Sequence, residues 1–68
     1  MRKVLEGLAM RIKALRKERK WTQSDLAERA KVSAGYIARL ETRRHDPKLS
    51  TLVKIAGAFK VPVGRLLE

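Results

Sequence analysis

The chain contains no cysteine, which excludes both a disulfide framework and a zinc knuckle. It has one histidine, His45. With no thiol and no second imidazole, a metal site is not expected. The same shortage leaves no nucleophile–base pair, and the seven acids form no paired-carboxylate constellation. The glycines at 7, 35, 57 and 64 are scattered and build no phosphate-cradling loop. No uncharged apolar stretch approaches the roughly 18 residues that a membrane span needs. Glu6, Arg11 and Lys13 interrupt the apolar region of any signal peptide. On this inventory no enzyme activity, cofactor, small-molecule substrate or membrane span is expected.

What is abundant is positive charge. Seventeen Lys and Arg face seven Asp and Glu over 68 residues, for a net +10. That length has room for one domain, and its stability margin is thin. Hydrophobic residues make up 44% of the chain, too many for a disordered basic tail. The expectation is a soluble, intracellular basic domain whose partner is a polyanion, nucleic acid before anionic membrane.

The charge is uneven. Residues 1–20 hold eight bases and two acids, residues 21–42 hold three of each, and the net remainder lies in 43–68. A neutral middle thus sits between basic flanks.

Helical periodicity runs through the chain. Leu5, Leu8, Ile12 and Leu15 form one stripe of a helix over 4–19, with Lys13, Lys17 and Lys20 on another face. Thr22 is a good N-cap for a helix from Gln23 to Ala30, with Asp25 completing a capping-box variant. Trp21 before the cap can pack on Leu26 as a staple. Ser33 caps a third helix to about Thr42, with Ile37 and Leu40 inward. A fourth helix begins between Pro47 and Ser50, with Asp46 and Pro47 as a candidate cap, and runs to about Phe59. Its apolar face is Leu49, Leu52, Val53, Ile55, Ala56 and Phe59. After Pro62, Val63 to Leu67 forms a short last helix. The reading is all-α, five helices with short connections and no strand pattern. Within it, two short capped helices over 22–42 meet at a tight turn, with small Ala27 at their crossing, which is helix-turn-helix geometry.

That stretch closely resembles the helix-turn-helix family of phage repressors and Cro proteins (XRE-type). The resemblance is carried by Thr-Gln-x-x-Leu-Ala at 22–27, Val-Ser-x-x-Tyr-Ile-x-x-Leu-Glu at 32–41 and Arg-Arg-x-x-Pro at 43–47. Leu-x-x-Leu-Val-Lys-Ile-Ala at 49–56 and Val-x-x-x-x-Leu-Leu at 61–67 extend it, so that it spans about residues 8–68. It implies a compact five-helix, lambda-repressor-like DNA-binding domain over 1–68, with its third helix in the major groove and usually dimeric. It further implies that Gln23 touches a phosphate at a helix N-terminus, where the helix end favours an anion. By the same resemblance Ser33, Ala34, Gly35 and Arg39 face base edges, and Tyr36, Arg43, Arg44 and Lys48 lie near the DNA backbone. The family's buried ion pair maps onto Arg16 and Glu41.

The chain departs from the family at two places. Where relatives usually carry glycine at helix exits, it has Lys31, Arg43 and Lys60. A non-glycine residue in a left-handed exit costs roughly 1 kcal/mol, partly offset by a cation at a helix C-terminus. The first turn of the reading helix, Ser33-Ala34-Gly35, is poor in side chain. Base discrimination is then expected to rest on Arg39, Ser33 and DNA shape.

The expected function is a sequence-specific double-stranded-DNA-binding transcriptional regulator, a repressor by preference. It would act sterically as a homodimer on a two-fold operator with half-sites about 34 Å apart. The family resemblance implies a cytoplasmic location, in a prokaryotic or phage-infected cell. Val63, Leu66 and Leu67 exceed what one face of the last helix needs and are candidate dimer residues. The Lys13, Lys17 and Lys20 face reads first as solvated and second as a phosphate contributor. Two rival functions are an antitoxin that binds both a toxin and DNA, and a membrane-surface peptide built on the first helix.

Overall fold

The computed structural model describes residues 2–42 and 47–67, with side chains at 7–42 and 47–67. Five helices follow one another: α1 (Arg2–Glu18), α2 (Gln23–Ala30), α3 (Ala34–Glu41), α4 (Leu49–Phe59) and α5 (Val63–Leu67). No strand occurs among the described residues. α2 packs on α3 and α4, α1 on α3 and α5, and α4 on α5.

Local chemistry sets the boundaries. Thr22 is extended (φ −80°, ψ 171°), and its Oγ1 accepts from the Asp25 N–H at 3.0 Å. The Asp25 carboxylate accepts in return from the Thr22 N–H at 2.8 Å, which completes the capping box. Ser33 Oγ accepts from the Tyr36 N–H at 3.0 Å and opens α3. α4 starts differently. Its N-cap is Lys48, whose side chain makes no capping bond. Asp46, the expected cap, lies outside the described residues.

Three helix exits share one geometry. Lys20, Lys31 and Lys60 each adopt the left-handed conformation at φ 59°. Each donates its N–H three residues back, to Lys17, Glu28 and Gly57 respectively. The following residues Trp21, Val32 and Val61 donate five residues back, to Arg16, Ala27 and Ala56, at 2.9 to 3.0 Å. This is the Schellman closure, with its apolar residue placed after the turn. Lys31 and Lys60 are two of the three exits at which the family pattern calls for glycine. Arg43, the third, lies outside the described residues, and α3 closes on Thr42 with right-handed dihedrals (φ −93°, ψ −1°).

The core joins all five helices through Leu8, Ile12, Leu26, Ala27, Ala30, Ile37, Leu40, Leu52, Ile55, Ala56, Phe59 and Leu66. Ala27 and Ala30 are the small side chains that let α2 lie close to its neighbours. Two members of the expected α4 face stay outside, Leu49 at 67% and Val53 at 51% exposure. At 100° per residue they lie about 70° and 110° round the helix from the centre of its buried face. Trp21 lies flat on Phe59 of α4, rings 5.4 Å apart and 9° from parallel.

Candidate nucleic-acid interface

Most of the candidate residues gather at the N-terminus of α2, the turn at 31–33 and α3. The turn is held on both sides, by the left-handed exit at Lys31 and by the Ser33 cap. α3 turns Ile37 and Leu40 into the core. That leaves Gly35 and Arg39 exposed on its outer side, with the N-cap Ser33 exposed at its N-terminal end. Gly35 has ordinary helical dihedrals, and a Cβ placed on it would meet nothing within 4 Å. Among the described residues, no packing requires a glycine there. The Arg39 guanidinium stands 5.9 Å over the Tyr36 ring, a cation–π pair one helical turn apart.

Not every candidate has its whole side chain available. Ala34 and Tyr36 are half-buried and pack against the core cluster. The Ser33 oxygen already accepts its capping bond. Lys48 is exposed at the start of α4. Arg43 and Arg44 lie outside the described residues.

Behind α3 is a polar joint. Arg16 Nε donates to Glu41 Oε2 at 2.8 Å and Arg16 Nη2 to Oε1 at 3.0 Å, a two-pronged pair. Arg16 Nη1 also donates to the Trp21 carbonyl at 2.8 Å. The two side chains are 11% and 5% exposed. Hydrogen bonding to Glu41 holds the Arg16 guanidinium above its ordinary range, against partial burial. Burial pushes the Glu41 carboxyl up. The hydrogen bonds from Arg16 and Gln23, with the charges of Arg16 and Lys13, more than offset this and leave it below the usual range. The joint therefore carries both charges at neutral pH. Gln23, placed by the family pattern on a phosphate, joins it by donating from Nε2 to Glu41 Oε1 at 3.1 Å.

The family model described as helix-turn-helix matches residues 12–66, most of the chain and both helices of this unit. The chain belongs to the helix-turn-helix family. It is 48% identical over 60 residues to an immunity repressor protein of Bacillus phage phi105, covering 88% of this chain and 42% of that protein. It is 41% identical over 64 residues to the HTH-type transcriptional repressor RghR of Bacillus subtilis, covering 93% of this chain and 47% of that one. The fold matches the crystal structure of the hypothetical transcription factor NHTF from Neisseria. The TM-score there is 0.92 at 28% identity, over 96% of this chain and 75% of that one. The chain thus spans less than half the length of these two curated relatives.

Within this helix-turn-helix domain, the structure corrects one interface residue. Leu66 is fully buried in the chain's own core, so it has no surface to offer a second copy. Val63 is half-buried against that core, and Leu67 is 47% exposed. Sequence reasoning also missed an aromatic–cation cluster. Arg29 lies 4.5 Å over the Trp21 ring, and Arg19 stands 5.5 Å from both the Trp21 and Phe59 rings. Arg19 Nη2 also donates to the Phe59 carbonyl at 2.7 Å, closing the end of α4. The signal was present as Arg19-Lys20-Trp21 with Arg29 two turns further on. Pairing it with Phe59 needed the tertiary fold.

Proposed function

We propose that the chain is a sequence-specific double-stranded-DNA-binding domain of a transcriptional regulator, a repressor by preference, acting as a homodimer in the cytoplasm. One observation carries the reading. Gly35 and Arg39 on the outer side of α3, and Ser33 at its N-cap, are exposed on a capped and packed two-helix unit and are not needed by the core. An eight-residue helix presented this way fits the major groove, and Arg39 is its long donor, suited to guanine. The two curated relatives quoted are named repressors, which supports the same activity.

Ser33 and Arg39 meet base edges in this reading, with Gly35 admitting close approach. Gln23, Tyr36, Arg43, Arg44 and Lys48 serve the phosphates. Ala34, half-buried, offers at most part of its methyl group to a thymine. The net charge of +10 supplies affinity without sequence information. The longest dimension of the domain is 28 Å, short of the about 34 Å of one helical turn. One copy therefore covers one half-site, and a second copy is needed to read a two-fold operator. Exposed Leu67, with Leu49 and Val53 on α4, supplies apolar surface for that pairing.

Selection of bound duplexes from a random pool tests function and symmetry together. The expected product is a two-fold site with half-sites one turn apart, bound more weakly as salt rises. A pool that enriches no sequence overturns the reading.

A further inference from the structure

The DNA-binding reading places Gln23 on a phosphate but does not say why its amide should point there. The structure supplies a reason, and the inference rests on that reading. Gln23 is the first residue of α2, and its Nε2 donates to Glu41 Oε1 at 3.1 Å. Glu41 is the last residue of α3, and its two oxygens are gripped by Arg16 from α1 at 2.8 and 3.0 Å. A carboxylate only accepts, so it dictates which end of the Gln23 amide faces it: the NH2 group, not the oxygen. One amide hydrogen is then used, and the other projects at a fixed angle from it. Beside it stand the backbone N–H groups of Gln23 and Ser24, which as first-turn donors have no intrahelical acceptor. Two carboxylates stand near the amide: Glu41, neutralised by its pairing with Arg16, and Asp25. The Asp25 carboxylate is tied back to the Thr22 N–H at 2.8 Å and lies one turn from Arg29.

We propose that Glu41, clamped by Arg16, is a positioning residue: it fixes one Gln23 amide hydrogen and thereby aims the other at a DNA phosphate. The ion pair thus links the end of the reading helix to the anchor on α2. Moving α3 relative to α2 would misdirect the phosphate contact.

The test is a thermodynamic cycle. Arg16→Met with Glu41→Leu replaces the pair by apolar groups of similar volume, a change that folded domains often tolerate. Gln23→Ala is made in the unmodified chain and in this background. Affinities are measured on a fluorescent mixed-sequence duplex of about two helical turns, since a phosphate contact is indifferent to sequence. In the unmodified chain Gln23→Ala should weaken binding about tenfold, the lower end of what one charge-assisted hydrogen bond contributes. In the paired background the loss should fall below about twofold, because the amide is already unaimed. Equal losses in both backgrounds overturn the proposal and leave the DNA-binding reading intact. Failure of the folded, unmodified chain to bind any duplex overturns both. If the paired variant does not fold, the unmodified chain still decides. Of its two Gln23 Nε2 protons, the one facing Glu41 should be protected from exchange and the other not. Two protons exchanging as in free glutamine overturn the proposal.

Discussion

Three lysines in the left-handed conformation are an uncommon stability liability in a 68-residue chain. Replacing Lys20, Lys31 and Lys60 with glycine should raise stability. Each L-residue held there costs about 1 kcal/mol relative to glycine. Each lysine also interacts with a helix C-terminus, worth about 0.3–1 kcal/mol at low salt and less once screened. At moderate salt the net gain is about 0.5 kcal/mol per site, or about 1.5 kcal/mol for the triple variant. For a domain of this size that corresponds to a rise in melting temperature of about 6–12 °C. The assay is thermal unfolding followed by circular dichroism at two salt concentrations. Lys→Ala at the same positions is the control, since it removes the charge and keeps the strain. The alanine variants should gain nothing, and the glycine advantage should grow with salt. A triple glycine variant no more stable than the triple alanine variant would show that the left-handed exits carry no such cost. The glycine triple also removes three of the ten net positive charges, so its duplex affinity should fall and its salt dependence should flatten. The exits would then be places where charge is kept at the expense of stability.

Other outcomes follow from the site. The folded Glu41 carboxyl titrates below its unfolded value. Its stabilising contribution is therefore present above about pH 4.3 and is lost as pH falls through the folded value. Asp25, lowered by hydrogen bonds from Thr22, adds to the same acid limb. Glu41→Gln should therefore shrink the loss of melting temperature between neutral pH and pH 3 without abolishing it, and an unchanged acid limb would count against the joint. Arg39→Ala should reduce discrimination between a selected site and random duplex more than it reduces binding to random duplex. Equal losses on both would remove Arg39 from base reading. Gly35→Ala should stabilise the free domain by about 0.5–1 kcal/mol, since its Cβ enters open space. It should also weaken duplex binding, and unchanged affinity would show that DNA does not approach the helix there.

Much of this was legible before the fold. The caps at Thr22 and Ser33 are local chemistry, a side-chain oxygen three residues ahead of an orphan N–H, and so the starts of α2 and α3 can be read from single residues. Inward Ile37 and Leu40 follow from helical spacing. Spacing fails at α4, where six apolar residues compete for a face that accommodates four. Which flank is covered depends on where α2 and α5 lie, so Leu49 and Val53 belong to the apolar face by spacing yet stand outside. Leu66 fails in the opposite direction. A five-residue helix has too few positions to define a face, and only its packing on α1 and α4 shows that Leu66 belongs to the core.

The candidate site divides along the same line. Periodicity, local hydrogen bonds and composition suffice for the two-helix unit, its caps, the neutral segment 21–42 and the basic flanks. That Gln23 and Arg16, 18 and 25 residues from Glu41, share its carboxylate emerges once α1, α2 and α3 pack together. Packing with α4 likewise lays Trp21 on Phe59 between two arginines. The physical reason is one of range. A cap is satisfied within one turn of its own helix, whereas a buried charge or a broad aromatic face is satisfied only by whatever the other helices bring beside it.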